Sequence, residues 1–434
     1  MLLKKKIITG ILIVALLLSL SLMLSSIFAK DNFDINTFPA INIEMNYELH
    51  RIEWRRASVS ITGANWRYNF GETNVMIRGR GQSSWNVGEK LPFRIRFNEP
   101  RPMLGSTHIA RHWTFISNHF DFSLMRNYSA YYLASLLEGM SVAPFARFVD
   151  VYINGEYYGV FMMSIQVSEI VEGRVELTYH PNPALSEYLI ELNGHALNRA
   201  NRYDEIVVVH RRAYEIRFPS DNMLTEAHIS YVEGYLNRIY ELAFALDDNI
   251  FNYIHLPSFV DFYIVQELFK NLDVGMNSVF MQIRGNRGER RIEMGPVWDF
   301  DGSSGGSTFN SENIPYGHLP YGIWAGLSNR WFRYLMQMPT FNSAVTYRWN
   351  EIRDVQIRQM LEHIDYTAVR SQSAFERNFE RWPIIGTCTP WPMGFSAFMP
   401  PEYLEITDFQ GYVDYLIDFL ERRIVWLDAH FNNH

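Results

Sequence analysis

Cysteine is almost missing from this 434-residue chain: Cys388 stands alone, which excludes an intramolecular disulfide and any cluster of thiolate metal ligands. No cysteine lies near the amino terminus, so the usual lipoprotein attachment has no acceptor. The 13 histidines show no H-E-x-x-H or related zinc spacing. No G-x-S-x-G marks a hydrolase nucleophile. Positive charge is in deficit, with 39 Lys and Arg against 47 Asp and Glu, so a nucleic-acid partner is not expected. Internal repeats and low-complexity tracts are absent as well, which argues against solenoids and disordered tails.

What is present is apolar. Hydrophobic residues make up 47% and aromatics 15%, enough to bury a large core in one domain or two lobes. Residues 1–29 stand apart. Lys4, Lys5 and Lys6 form a positive start, residues 7–28 are apolar, and Ala29 suits a cleavage point. The stretch also matches the roughly 20 residues of a membrane-spanning helix. The segment therefore reads as a secretory signal or a membrane anchor, and any membrane contact is expected through it alone. Residues 1–29 hold three lysines and no acid, so the remainder carries 36 basic against 47 acidic residues, a net charge of -11.

Residues 38–163 are rich in alternating strand patterns, interrupted by a helix over 123–138, and 38–185 reads as a β-rich lobe. Asn154-Gly155 between two apolar runs signals a β-hairpin. From 186 to 430 the periodicity turns helical. Val232, Leu236, Ile239, Ala243 and Leu246 share a face, a second helix starts near Pro257, and a third covers 408–427. Two short strands are expected at 279–283 and 291–294, and 382–403 reads as a proline-rich loop. The result is a β-rich first lobe and a helical second lobe.

The strongest chemical signal lies in FKNLDVGMNSVFMQIRGNRGERRIEMGPVWDFDGSSGGS. Asp273 follows a helix end, Asn277 comes four residues later, and Asp299 and Asp301 follow the short hairpin. Carboxylate and amide oxygens are what hard divalent cations take, usually beside substrate phosphates. The order Asp, Asn, hairpin, Asp is the one kinase-type phosphotransferases use. Each Asp alone reads equally as a cap or turn residue. Together, set beside the apolar Val297, Trp298 and Phe300, they would be costly unless a cation or other partner compensates. DFDGSSG also begins like a calcium loop, but Ser304 and Asn310 stand where glycine and glutamate belong.

A second cluster is IRGRGQSSWNVGEKLPFRIRF. Gly79 and Gly81 permit a close backbone approach, and Arg78, Arg80, Lys90, Arg94 and Arg96 supply charge suited to a polyphosphate. Basic strand faces are also often simply solvated. In SNHFDFSLMRNYSAYYLA, Asp121 or Ser123 suits a helix cap, with Arg126 and Asn127 in the first turns, and an ion pair there reads as structural.

FPAINIEM, IRGRGQSSW with KLPFRIRF, NHFDFSLMRN, VYINGEYYGVF, NLDVGMNS and GPVWDFDGSSG, in that order over residues 38–305, resemble the CotH family of spore-coat protein kinases. The resemblance implies an α+β, atypical protein-kinase-like fold with a β-rich N-terminal lobe and a mainly helical C-terminal lobe. It also implies ATP, Mg2+ or Mn2+, and phosphorylation of Ser or Thr in a protein substrate. By the same resemblance Asp273 is the catalytic residue, Asn277, Asp299 and Asp301 are metal ligands, and Lys90 with Arg78, Arg94 or Arg96 contacts the nucleotide. One position departs. Where the family continues GVYLLTEQV, this chain reads GVFMMSIQV, with Ile165 in place of glutamate and Glu169 or Glu156 as stand-ins. The leading expectation is an exported or surface-anchored kinase. The alternative is a non-catalytic surface, coat or adhesion protein that keeps the fold, and a third reading is a carbohydrate-binding protein using paired acids and tryptophans.

Overall fold

The structure, a computed structural model, describes residues 38–64, 66–81, 83–167, 169, 177–199, 205–285, 288–307, 317–386 and 399–433. The expected signal or anchor at 1–29, Cys388 and Asn310 lie outside the described residues. Among the described residues no helix is long and apolar enough to cross a membrane.

Seven strands close into a barrel: β1 (Ala40–Glu44), β2 (Arg55–Thr62), β3 (Phe70–Gly79), β4 (Phe93–Arg101), β5 (Ala110–Ile116), β6 (Ala146–Ile153) and β7 (Glu156–Ile165). Their order is β1-β2-β3-β4-β5-β7-β6, and β1 closes the ring by running parallel to β6. The two-residue alternation explains the interior. Ile77 pairs with Ile95, Ile95 with Trp113, and Trp113 with Ile165, so one buried layer runs across four strands. Burying side chains of this size is worth about 1.5–3 kcal/mol each. The opposite face of β3, β4 and β5 carries Arg78, Arg94, Arg96 and His112, with Arg78 opposite Arg94 and Arg96 opposite His112. The β6–β7 hairpin turns at Asn154 and Gly155, both with positive φ (52° and 81°), as the Asn-Gly pair predicts.

The chain crosses from β5 to β6 through α1 (Arg126–Leu136), shorter than the 123–138 expected. A second sheet follows, β12-β11-β8-β10-β9, made of β8 (Tyr188–Leu192), β9 (Ile206–Val209), β10 (Arg212–Phe218), β11 (Val279–Arg284) and β12 (Arg291–Met294). The helical reading after residue 185 missed β8, β9 and β10. All five residues of β8 are buried, so its sequence shows no alternation to mark it. The short hairpin at 279–294 is thus the edge of a five-stranded sheet.

Three long helices were legible, α2 (Glu226–Phe244), α3 (Leu256–Phe269) and, at the carboxyl end, α6 (Phe409–Asn432); α4 (Pro339–Ile352) and α5 (Arg358–Arg381) lie between α3 and α6 and were not singled out in the sequence. Val232, Leu236, Ile239 and Ala243 are buried along α2. Leu246 is not; it lies beyond the helix end at φ 51° and is 43% exposed. Pro257 sits in the first turn of α3, and Lys270 ends it in the left-handed conformation. The Asp408 carboxylate caps α6 by accepting from Gly411 N–H at 2.8 Å. One continuous apolar core joins the barrel interior to these helices.

Candidate functional site

The four residues singled out in the sequence come from two adjoining connections. Behind α3, a tight turn over Leu272–Gly275 carries Asp273, whose N–H is capped by the Asn271 side chain at 3.1 Å. Asn277 donates to the Asp273 carboxylate at 3.5 Å, a long contact, and accepts from Gly194 N–H at 2.9 Å. Ser278, at φ 55°, turns the chain into β11 and donates to the Asp299 carboxylate at 3.2 Å. Asp299 itself holds φ 64°, a conformation that costs a non-glycine residue of order 1 kcal/mol or more and clusters at functional sites.

Helix α1 fixes the second connection. The Asn127 side chain accepts from Phe300 N–H at 2.8 Å and donates to the Asp301 carboxylate. Its neighbour one turn on, Tyr131, stacks on Trp298 with centroids 5.4 Å apart, and its hydroxyl is buried beside the Asp299 backbone. Arg126 reaches the Ser303 carbonyl at 2.8 Å and pairs with Asp121 at 2.5 Å. The expected ion pair is therefore present, but neither Asp121 nor Ser123 is the N-cap: that position is Met125, without a side-chain capping bond, and Asp121 reaches the first helical N–H from outside it, accepting from Arg126 at 2.8 Å. What the sequence did not disclose is that Arg126 and Asn127 also hold the acidic loop.

Electrostatics tie the acids into one group. Burial, then Asp299 and Glu191, push Asp273 up to about 7. Asp301 rises to about 8 through burial, with Asp299 and Asp121 adding to it and Asn127 and Arg80 opposing. Asp299 is also raised by burial, against the pull of Arg80, Ser278 and His195. All three keep a partly exposed edge. Arg80, which stands over the Trp298 ring at 5.9 Å, is thus the arginine that faces the acids. It was visible as a member of the basic cluster, two residues past Arg78 on the strand line. Glu191 was hidden because β8 was. Arg217 binds Glu191 at 2.7 Å and Glu215 at 2.6 Å, holding two like charges that sit opposite each other in the sheet.

These shifts carry a sign. From about pH 5 to pH 8 the folded protein keeps protons on Asp273 and Asp301 that the unfolded chain has released, so their contribution to stability falls as pH rises. Thermal melts of metal-free protein should therefore show a smaller fall over that interval in Asp301→Asn than in the parent chain. An identical slope in both would contradict it.

The remaining sequence candidates lie elsewhere on the barrel. Arg78, Arg94 and Arg96 gather around the Trp54 indole at 4.9, 5.1 and 4.7 Å. Arg78 also donates to the Ile52 carbonyl at 3.0 Å, and burial with Arg96 beside it lowers its proton affinity. Lys90 is buried. Its ammonium donates to the Ser117 carbonyl at 3.1 Å, the Asn378 side chain at 2.7 Å and the Val160 carbonyl, while burial pulls its pKa down to about 7 against Asp150. Ile165 is fully buried in the barrel layer opposite Trp113. Of the two glutamates weighed in its stead, Glu169 is bound by His112 and its N–H, and Glu156 opens β7 in an exposed position.

Asp299, Asp301 and the Asn277 amide offer an all-oxygen donor set, the chemistry a hard divalent cation takes. Among the described residues no group of three or more His, Cys, Asp or Glu side chains is set to hold a metal by itself. Mg2+ ordinarily needs only one or two carboxylates together with substrate phosphates, so the donor set fits it without a complete protein cage. Compared with known proteins, the chain matches the family described as CotH kinase protein over residues 77–427. That match starts later than the motifs at 38–305 and reaches through most of α6. No curated protein matches the chain.

Proposed function

The chain belongs to the CotH kinase protein family, and from that premise we propose that it is an exported or surface-anchored protein kinase that phosphorylates Ser or Thr using ATP with Mg2+ or Mn2+. Residues 38–185 and 186–430 are the two lobes of this kinase-like reading. The observation that supports it most is the nearness of Asp273 and of Asp301 to Asp299, each raised by burial and by the Asp299 charge, with Arg80 acting on Asp299 and Asp301. Buried like charges are expensive unless a cation or a proton compensates them.

In this reading Asp273 orients the acceptor hydroxyl and takes its proton as the hydroxyl oxygen bonds to the terminal phosphorus and the bond to the ADP oxygen breaks. Asp299, Asp301 and Asn277 would hold the divalent ion, which supplies charge neutralisation on the phosphates. Arg80 stands nearest the acids and contacts the transferring end. Arg78, Arg94 and Arg96 offer further phosphate contacts, and Lys90 acts from within the barrel wall through the strands it ties together. Asn127 and Tyr131 set the Asp299–Asp301 spacing.

Ile165 favours a second reading, a surface or coat protein that keeps the fold without catalysis, since no acid replaces the family glutamate at that barrel position. A thermal-shift titration of the full chain with ATP, with and without Mg2+ or Mn2+, separates the two. A ligand at a hundred times its Kd adds about 2.7 kcal/mol, a readable shift. The kinase reading expects a metal-dependent shift that Asp299→Ala removes. No shift at millimolar ATP would leave the non-catalytic reading.

A further inference from the structure

We propose that the groove at the far end of the β3–β4 pair docks an acidic peptide in extended form, at a site separate from the acidic cluster and independent of phosphotransfer. The β3–β4 ladder runs only from Gly79–Phe93 to Val75–Phe97. Beyond it both strands continue, β3 back to Phe70 and β4 on to Arg101, but they are not paired with each other. Between them opens a cavity of about 840 Å3, lined by Tyr68, Thr73, Asn74, Asn98, Glu99 and Arg101 among others. Facing strand edges without partners are a template for an added strand. The ten residues of β3 separate this end from the Arg80 end by roughly 30 Å at about 3.3 Å per residue.

Arg101 states the charge of the occupant. Its guanidinium lies 4.0 Å over the Phe70 ring and 5.1 Å from the Phe97 ring. Among the described residues no carboxylate pairs with it. The nearest acid on the rim, Glu99, faces Arg111 at 3.8 Å instead. A guanidinium held over an aromatic ring, with no carboxylate beside it, presents a fork that one carboxylate fills. Free strand edges favour a peptide backbone, and the fork favours a Glu or Asp side chain upon it.

Fluorescence anisotropy with the full chain and a dye-labelled octapeptide of alternating Glu and Val tests this. The peptide should bind without nucleotide, and Arg101→Gln should weaken it about tenfold or more, the loss of one charge-assisted contact. Asn74→Trp, which fills the groove and leaves Arg101 in place, should weaken it as well. Thermal melts of both variants report whether folding is retained. No binding at millimolar peptide, equal binding of a Lys and Val octapeptide, indifference to both substitutions, or tighter binding of an oligoglucuronate would each overturn the proposal.

Discussion

Asp273→Asn should lower phosphotransfer by about 10²–10⁴-fold, the usual contribution of a positioned general base, while leaving metal-dependent ATP binding in place. The substitution is nearly isosteric. The turn that presents the residue survives, because the Asn271 cap uses the backbone N–H and not the side chain. Asn277 sits at 3.5 Å and faces an amide in place of a carboxylate. What disappears is a base beside the acceptor and one of the mutually repelling charges. The metal-free protein should consequently melt higher than the parent at pH 8, since the burial and repulsion that raise Asp273 act on its charged form. Single-turnover transfer to a Ser-containing substrate, measured with the thermal shift on the same samples, checks both parts. Parental turnover in the variant would remove Asp273 from the chemistry.

Arg126→Met should destabilise the fold by about 3–5 kcal/mol, the range for breaking a fully buried ion pair from one side. Both side chains are inaccessible to solvent, and Arg126 also donates to the Ser303 carbonyl, the Tyr403 hydroxyl and the Ser304 carbonyl. Methionine fills much of the volume but leaves the Asp121 charge without its counter-ion. The double change Asp121→Leu with Arg126→Met should recover a good part of the loss, because a buried pair and its apolar replacement are often close in stability. Chemical denaturation of the two variants measures this. A single-variant loss below about 1 kcal/mol would show that Arg126, through its pair and its bonds to the Ser303 and Ser304 carbonyls, is not what holds α1 to the 299–304 loop. ATP affinity should fall in the single variant too, since that loop carries Asp299 and Asp301.

These expectations rest on features that the sequence disclosed unevenly. The first barrel strands alternate between a buried and a half-exposed face, and such strands are readable residue by residue. The Asn154-Gly155 turn was equally plain, because its backbone demands residues that tolerate positive φ. Strand β8 was not readable, and with it went Glu191 and the five-stranded sheet. A segment buried on both faces gives the same signal as a piece of buried helix. In the site, Asp273, Asn277, Asp299 and Asp301 could be named from spacing and resemblance. Their supports could not, because Asn127 and Arg126 act across 173 and 177 residues of sequence. A polar residue at the start of α1 looks the same in sequence whether or not it also grips a distant loop. Arg80 and Arg78 differ in the same way: both are strand arginines, and only the packing of Trp298 shows which one faces the acids.

The Lys90 ammonium bears on when this chain completes its fold. Two of its acceptors, Ser117 just past β5 and Val160 in β7, stand at the barrel, but the third is Asn378 near the end of α5, 288 residues away in sequence. The same Asn378 oxygen also accepts from Val160 N–H at 3.0 Å. A chain emerging from its amino terminus holds all seven barrel strands long before α5 exists. During that interval a buried cation and a strand amide lack a shared partner, so the barrel on its own is a poorly closed intermediate. Contacts of such long sequence separation also slow folding. The protein should therefore acquire its protease-resistant core only after residue 378 has been made, and fragments ending before α5 should behave as loose, aggregation-prone species however completely their strands are encoded.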